Sequence, residues 1–141
     1  MNYETLAIER AELQLAIDRL IARTRAEKPQ PIDASRELRR LVALVHTHLS
    51  HAEPMVYAAA AAARGSRHAA VAKDALAELA TLKEEWCDYL YRWNGAAIAS
   101  DWPRFADETA ALLSPLNARI RSELAILFSL AVHLGLMPAT N

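Results

Sequence analysis

The stretch Leu41–Tyr57, LVALVHTHLSHAEPMVY, decides how the chain folds. Leu38, Leu41, Val45, His48, Ala52, Val56 and Ala59 follow one another in steps of three and four residues, which places them on one face of an α-helix. A face this apolar is directed at a core, and His48 stands in its middle. A buried imidazole needs hydrogen-bonding partners in the interior. The other helices must therefore offer polar groups at the same level.

The same periodicity extends outward in both directions. From about residue 3 to residue 28, Leu6, Arg10, Leu13, Ile17 and Leu20 recur at helical spacing, and Pro29 and Pro31 end that helix. The helix holding the opening stretch is predicted to run from about residue 34 to residue 64, capped by Asp33 or Ser35, bent at Pro54 and closed by Gly65. A third helix, capped by Ser66, carries Leu79, Leu82, Trp86, Leu90 and Trp93 on one stripe and ends at Asn94 and Gly95. Residues 96 to 100 read as a connector. Asp101 then caps a fourth helix, kinked at Pro115 and stopped by Gly135 and Pro138, with Leu112, Leu116, Arg119, Glu123, Leu127, Leu130 and Leu134 on its stripe. Four long helices with short connections predict an all-α, antiparallel, up-down-up-down four-helix bundle.

Composition agrees. Apolar residues make up 53% of the 141 residues, but aromatics are only 6% and glycines only three, a balance that favours helices. A chain of that length forms about one domain and buries roughly 65–70% of its unfolded surface without staples. The net charge is -1 and no long run of one sign occurs, so neither nucleic acid nor an anionic membrane is expected as a partner. Arg36, Arg39 and Arg40 read as a solvated helix face. The single cysteine, Cys87, excludes an internal disulfide and fits a reducing compartment. The opening residues carry acidic side chains and no sustained apolar core, so no secretory signal is expected there, and the longest apolar run, from Leu124 to Met137, falls about four residues short of a membrane span. A soluble, cytoplasmic protein is the expectation.

With a rise of about 1.5 Å per residue, levels can be counted from the first turn. Arg10 falls about 27 Å along the first helix, His48 about 21 Å along the second, and Arg119 and Glu123 about 26 and 31 Å along the last. Arg10, His48, Arg119 and Glu123 thus interrupt three apolar stripes at similar height, which predicts one polar core layer.

These features resemble the hemerythrin-like, or HHE cation-binding, domain family. In that family the second and last helices each carry a His followed four residues later by a Glu. HLSHAEPMVYA, from His48 to Ala58, resembles the first copy, and RIRSELAILFSLA, from Arg119 to Ala131, the second. His48 aligns with Arg119, Ala52 with Glu123 and Tyr57 with Phe128. The resemblance covers most of the chain and implies a single four-helix-bundle domain over residues 1–141, with a di-iron centre between the helices.

Several ligand positions depart from the family pattern. Arg10 stands where the first helix should supply a histidine, Arg119 does so in the last helix, and Ala52 replaces the bridging carboxylate of the second. Glu53 is displaced from that place by about 100°. The third helix has only His68, in its first turn. Guanidinium carries no lone pair for a cation and stays charged. A metal, if held, would be held by His48, Glu53 and Glu123.

The resemblance and its departures together imply a non-enzymatic domain that has largely lost the di-iron site and serves as a sensory, regulatory or interaction module. An Arg/His/Glu layer, with arginine neutralising Glu123, would replace the metal centre. No cofactor is then expected. The alternative is an iron-binding hemerythrin-like protein for oxygen or redox sensing. No phosphate loop, catalytic triad or Glu-x-x-His pair of the ferritin kind points to an enzyme. Two further partners are open to the chain: a second copy, through Trp102, the Ala58–Ala63 run or the aromatics of the third helix, and a small polar or anionic ligand held between the arginines.

Overall fold

In the computed structural model the backbone is described for residues 3–133, and side chains through residue 118 except those of residues 3, 56, 59 and 75. Five helices follow in order: α1 (Tyr3–Thr24), α2 (Pro31–Ala63), α3 (Ala69–Arg92), α4 (Gly95–Ser100) and α5 (Trp102–His133). No strand occurs among the described residues, and no helix among them is long and apolar enough to cross a membrane. Gly135 and Pro138, the expected stop of the last helix, lie outside the described residues.

Turn chemistry sets the boundaries. α2 begins at Pro31, three residues earlier than the cap-based reading, because proline's fixed φ and missing N–H suit the first helical position. Asp33 and Ser35 therefore lie inside the helix. Gly65 has φ 74°, the left-handed geometry expected just after a helix end. Ser66 does not cap α3 directly: its Oγ accepts the His68 N–H at 3.1 Å and donates to the Ala63 carbonyl at 2.6 Å. The connector at 96–100 is a short helix, since Asn94 Oδ1 accepts the Ala97 N–H at 2.9 Å and Ile98 is buried. Asp101 does cap α5, accepting the Arg104 N–H at 3.4 Å.

α1 packs against α2 and α5, α2 also against α3 and α4, and α5 against α3 and α4. The main core joins Leu13, Ile17 and Leu20 of α1 with Leu38 and Leu41 of α2, Tyr89 and Trp93 of α3, Ile98 of α4, and Phe105, Leu113 and Leu116 of α5. Ala63 and Ala72 form a smaller cluster where α2 turns into α3. Beyond Leu13 on α1 and Val45 on α2 the next inward positions are Glu9 and His48, so the apolar core gives way to a polar layer there.

Polar groups tie α3 to α5. The hydroxyls of Tyr89 and Thr109, both buried, lie 2.7 Å apart. Burial chiefly pushes the Tyr89 phenol far above its ordinary pKa, so it remains a neutral donor or acceptor. Tyr89→Phe or Thr109→Val alone should cost about 1–2 kcal/mol in urea unfolding by stranding the other hydroxyl, and the double change less than the two singles combined.

Glu108 accepts from Trp93 Nε1 at 2.6 Å, Arg92 Nε at 3.1 Å and Arg104 Nε at 3.2 Å. Partial burial opposes ionisation, but these donors together outweigh it and hold the carboxyl below its ordinary pKa. A carboxylate whose pKa is lower folded than unfolded stabilises above the ordinary carboxylate range, and that contribution is lost as pH falls through it. The urea midpoint should therefore drop as pH is lowered below about 4.5, and less so in Glu108→Gln.

Candidate polar-layer site

The layer is built where α1 crosses the middle of α2. His48 is only 4% exposed, and its Nδ1 lies 3.2 Å from Glu9 Oε1. His51, one turn further along α2, places its Nδ1 2.5 Å from Glu9 Oε2. One carboxylate of α1 thus holds two imidazoles of α2, one ring on each oxygen. His51 is about one-third exposed at 35%, so the cluster runs from the interior to the surface.

A carboxylate can only accept, so wherever Glu9 takes part as one, the Nδ1 facing it is the donor. Burial chiefly lowers the His48 pKa, and His51 and Arg10 lower it further, against the pull of the Glu9 hydrogen bond and charge. His48 is accordingly held toward its neutral form, with Nδ1 as donor and Nε2 bearing a lone pair. Nε2 is buried and finds no hydrogen-bond partner among the described residues.

The residues expected from the sequence are distributed unevenly around this centre. His48 occupies the interior as expected. Arg10 is half-buried and close enough to disfavour charge on His48, but Glu9, not Arg10, meets the ring. Ala52 is buried at the position where the resemblance implies a bridging carboxylate. Glu53 turns away to pair with Lys83 of α3, and its hydrogen bond raises the Lys83 pKa. Arg119 and Glu123 lie on α5, but their side chains are outside the described residues. Trp86 is half-buried and stacks on Tyr89 at a centroid distance of 5.8 Å.

Sequence reasoning missed Glu9. The signal was present: Glu9 lies three residues after Leu6 and four before Leu13, as compatible with the inward stripe as Arg10. What the stripe could not supply was the direction of α2, which selects the carboxylate.

The donors among the described residues do not form the set that a dinuclear metal centre needs. Such a centre needs carboxylate and imidazole lone pairs converging on a cation, whereas among the described residues both Glu9 oxygens lie on imidazole nitrogens and Ala52 offers no lone pair. Among the described residues no group of three His, Cys, Asp or Glu side chains is arranged to hold a metal ion. Compared with known proteins, the chain matches no family model, no curated protein and no solved structure.

Proposed function

We propose that this chain is a hemerythrin-like antiparallel four-helix bundle, non-enzymatic, in which a polar layer takes the place of a di-iron centre. Its role is that of a sensory, regulatory or interaction module. The observation that carries this reading is the Glu9 carboxylate held by His48 and His51 at the level where the resemblance implies the metal. Arg10 flanks the layer, and Arg119 and Glu123 are its proposed members from α5.

The cross-helix pairs support the bundle topology. Glu9 meets His48 and His51, while Arg23, later in α1, meets Asp33 and Glu37, earlier in α2. These pairs support opposed chain directions for α1 and α2. Tyr89 with Thr109 and Trp93 with Phe105 give the same sense for α3 and α5.

A second reading, an iron-binding relative for oxygen or redox sensing, is favoured by one observation: the buried lone pair on His48 Nε2 that lacks a described partner. Elemental analysis after reconstitution with ferrous iron, followed by exposure to air, separates the two. The polar-layer reading expects iron well below one atom per chain and no oxo-bridge absorption. About two atoms per chain with that absorption, as a dinuclear centre requires, would overturn it.

A further inference from the structure

We propose that the tip of the α2–α3 hairpin, residues 55–63 of α2 with residues 69–81 of α3, is a separate unit that opens and closes while the rest of the molecule stays folded. Pro54 is its boundary. The tip takes only the opposed directions of α1 and α2 from the reading above, not the proposed role. Among the described residues the main core draws side chains from α2 only as far as Val45, and from α3 only from Leu82 onward. His48 comes next on α2 and meets Glu9, so a polar layer stands between that core and the tip. α2 also outruns its neighbour. From the Glu9–His51 contact the described part of α1 goes on only to Tyr3, whereas α2 goes on to Ala63, an overshoot of about 9 Å.

The side chains that hold the tip are small. Its fully buried ones among the described residues are Ala63 and Ala72, with Ala60 packed on them. The larger apolar groups stay further out: Leu76 and Leu79 are half-buried, Val71 is 43% exposed and Tyr57 59%. A methyl group removes far less apolar area from water than a leucine or an aromatic ring, and the stability of a segment follows the apolar contacts it makes. The base of the tip has a weak point as well. Pro54 has no N–H for the Ser50 carbonyl and its ring crowds that oxygen, so the α2 ladder lacks one rung there. Beside the proline, Glu53 pairs with Lys83 of α3, which joins the two helices at the level where the tip begins. Opening therefore needs only the helix turns beyond that pair. The contacts of Glu9 with His48 and His51 lie on the other side of Pro54 and stay closed.

Native-state amide hydrogen exchange of the full chain, followed residue by residue by NMR, tests the proposal. The helical amides of residues 58–63 and 73–78 should exchange at least about a hundredfold faster than those of Ile17, Leu41 and Leu113, which belong to the main core. Ile17→Val should speed exchange in the core by about fivefold and leave the tip unchanged, because the core need not open for the tip to do so. Pro54→Ala should slow exchange in the tip by at least about fivefold, since it restores the missing rung. Tip amides as slow as those of the core would overturn the proposal. So would tip amides that follow the core in Ile17→Val, as they must if side chains of α5 tie the two together, or tip exchange unaltered by Pro54→Ala.

Discussion

Glu9→Ala should lower the unfolding free energy by about 2–3 kcal/mol, the larger part of it through His48. His51 is exposed enough to turn to water when the carboxylate is removed. His48 is not, and it would be left with both ring nitrogens buried and without a partner among the described residues. The cost of such a loss is the desolvation of the stranded group, so removing both partners should be milder. Replacing Glu9 and His48 together by leucine is expected to cost less than Glu9→Ala alone, because the layer becomes continuous with the apolar core on either side. Urea unfolding of the single and double variants measures this directly. Equal losses from the two would show that Glu9 and His48 are not energetically coupled.

Phe105→Ala should cost about 3–5 kcal/mol. Its ring is fully buried, edge-on to Trp93 at 5.4 Å and tilted against Trp102 at 5.6 Å. Few smaller groups could close the gap, since Trp93 is also anchored through its indole N–H to Glu108 and Tyr89 through its hydroxyl to Thr109. The cavity would therefore persist rather than collapse, which is the condition for the upper part of the range. Near-ultraviolet circular dichroism should report loosening of the two tryptophans alongside the lower urea midpoint. A loss below about 1 kcal/mol would show that the α3–α5 junction repacks freely.

Steps of three and four residues were enough to locate the four long helices, because each buries one apolar stripe and each is bounded by a proline, a glycine or a capping side chain. Boundaries were legible where one residue fixes the backbone, as at Gly65 and Asp101. They were not where two devices compete: Pro31 overrode the capping preference of Asp33, and Asn94 with Ile98 made a helix of residues too few to show a period. His48 was legible as a buried polar residue because nothing else explains a histidine on that stripe. Its partner was not. Residues 9 and 10 fit the α1 stripe equally well, and only the packing of α2 against one side of it decides between carboxylate and guanidinium. Glu53 was read beside His48 from its position on α2, but Lys83, thirty residues on, draws it to the α3 side.

The Glu9, His48 and His51 cluster is the central claim, and nitrogen-15 NMR of the histidine rings during anaerobic titration with ferrous iron tests it most directly. Before iron, the Nδ1 nitrogens of His48 and His51 should show protonated shifts that change in Glu9→Ala, and His48 should also retain an unprotonated Nε2. On adding iron, both rings should keep those shifts and linewidths. Selective broadening or loss of the His48 signal at about two iron atoms per chain would contradict the account, because it would place the imidazole on a metal instead of the carboxylate.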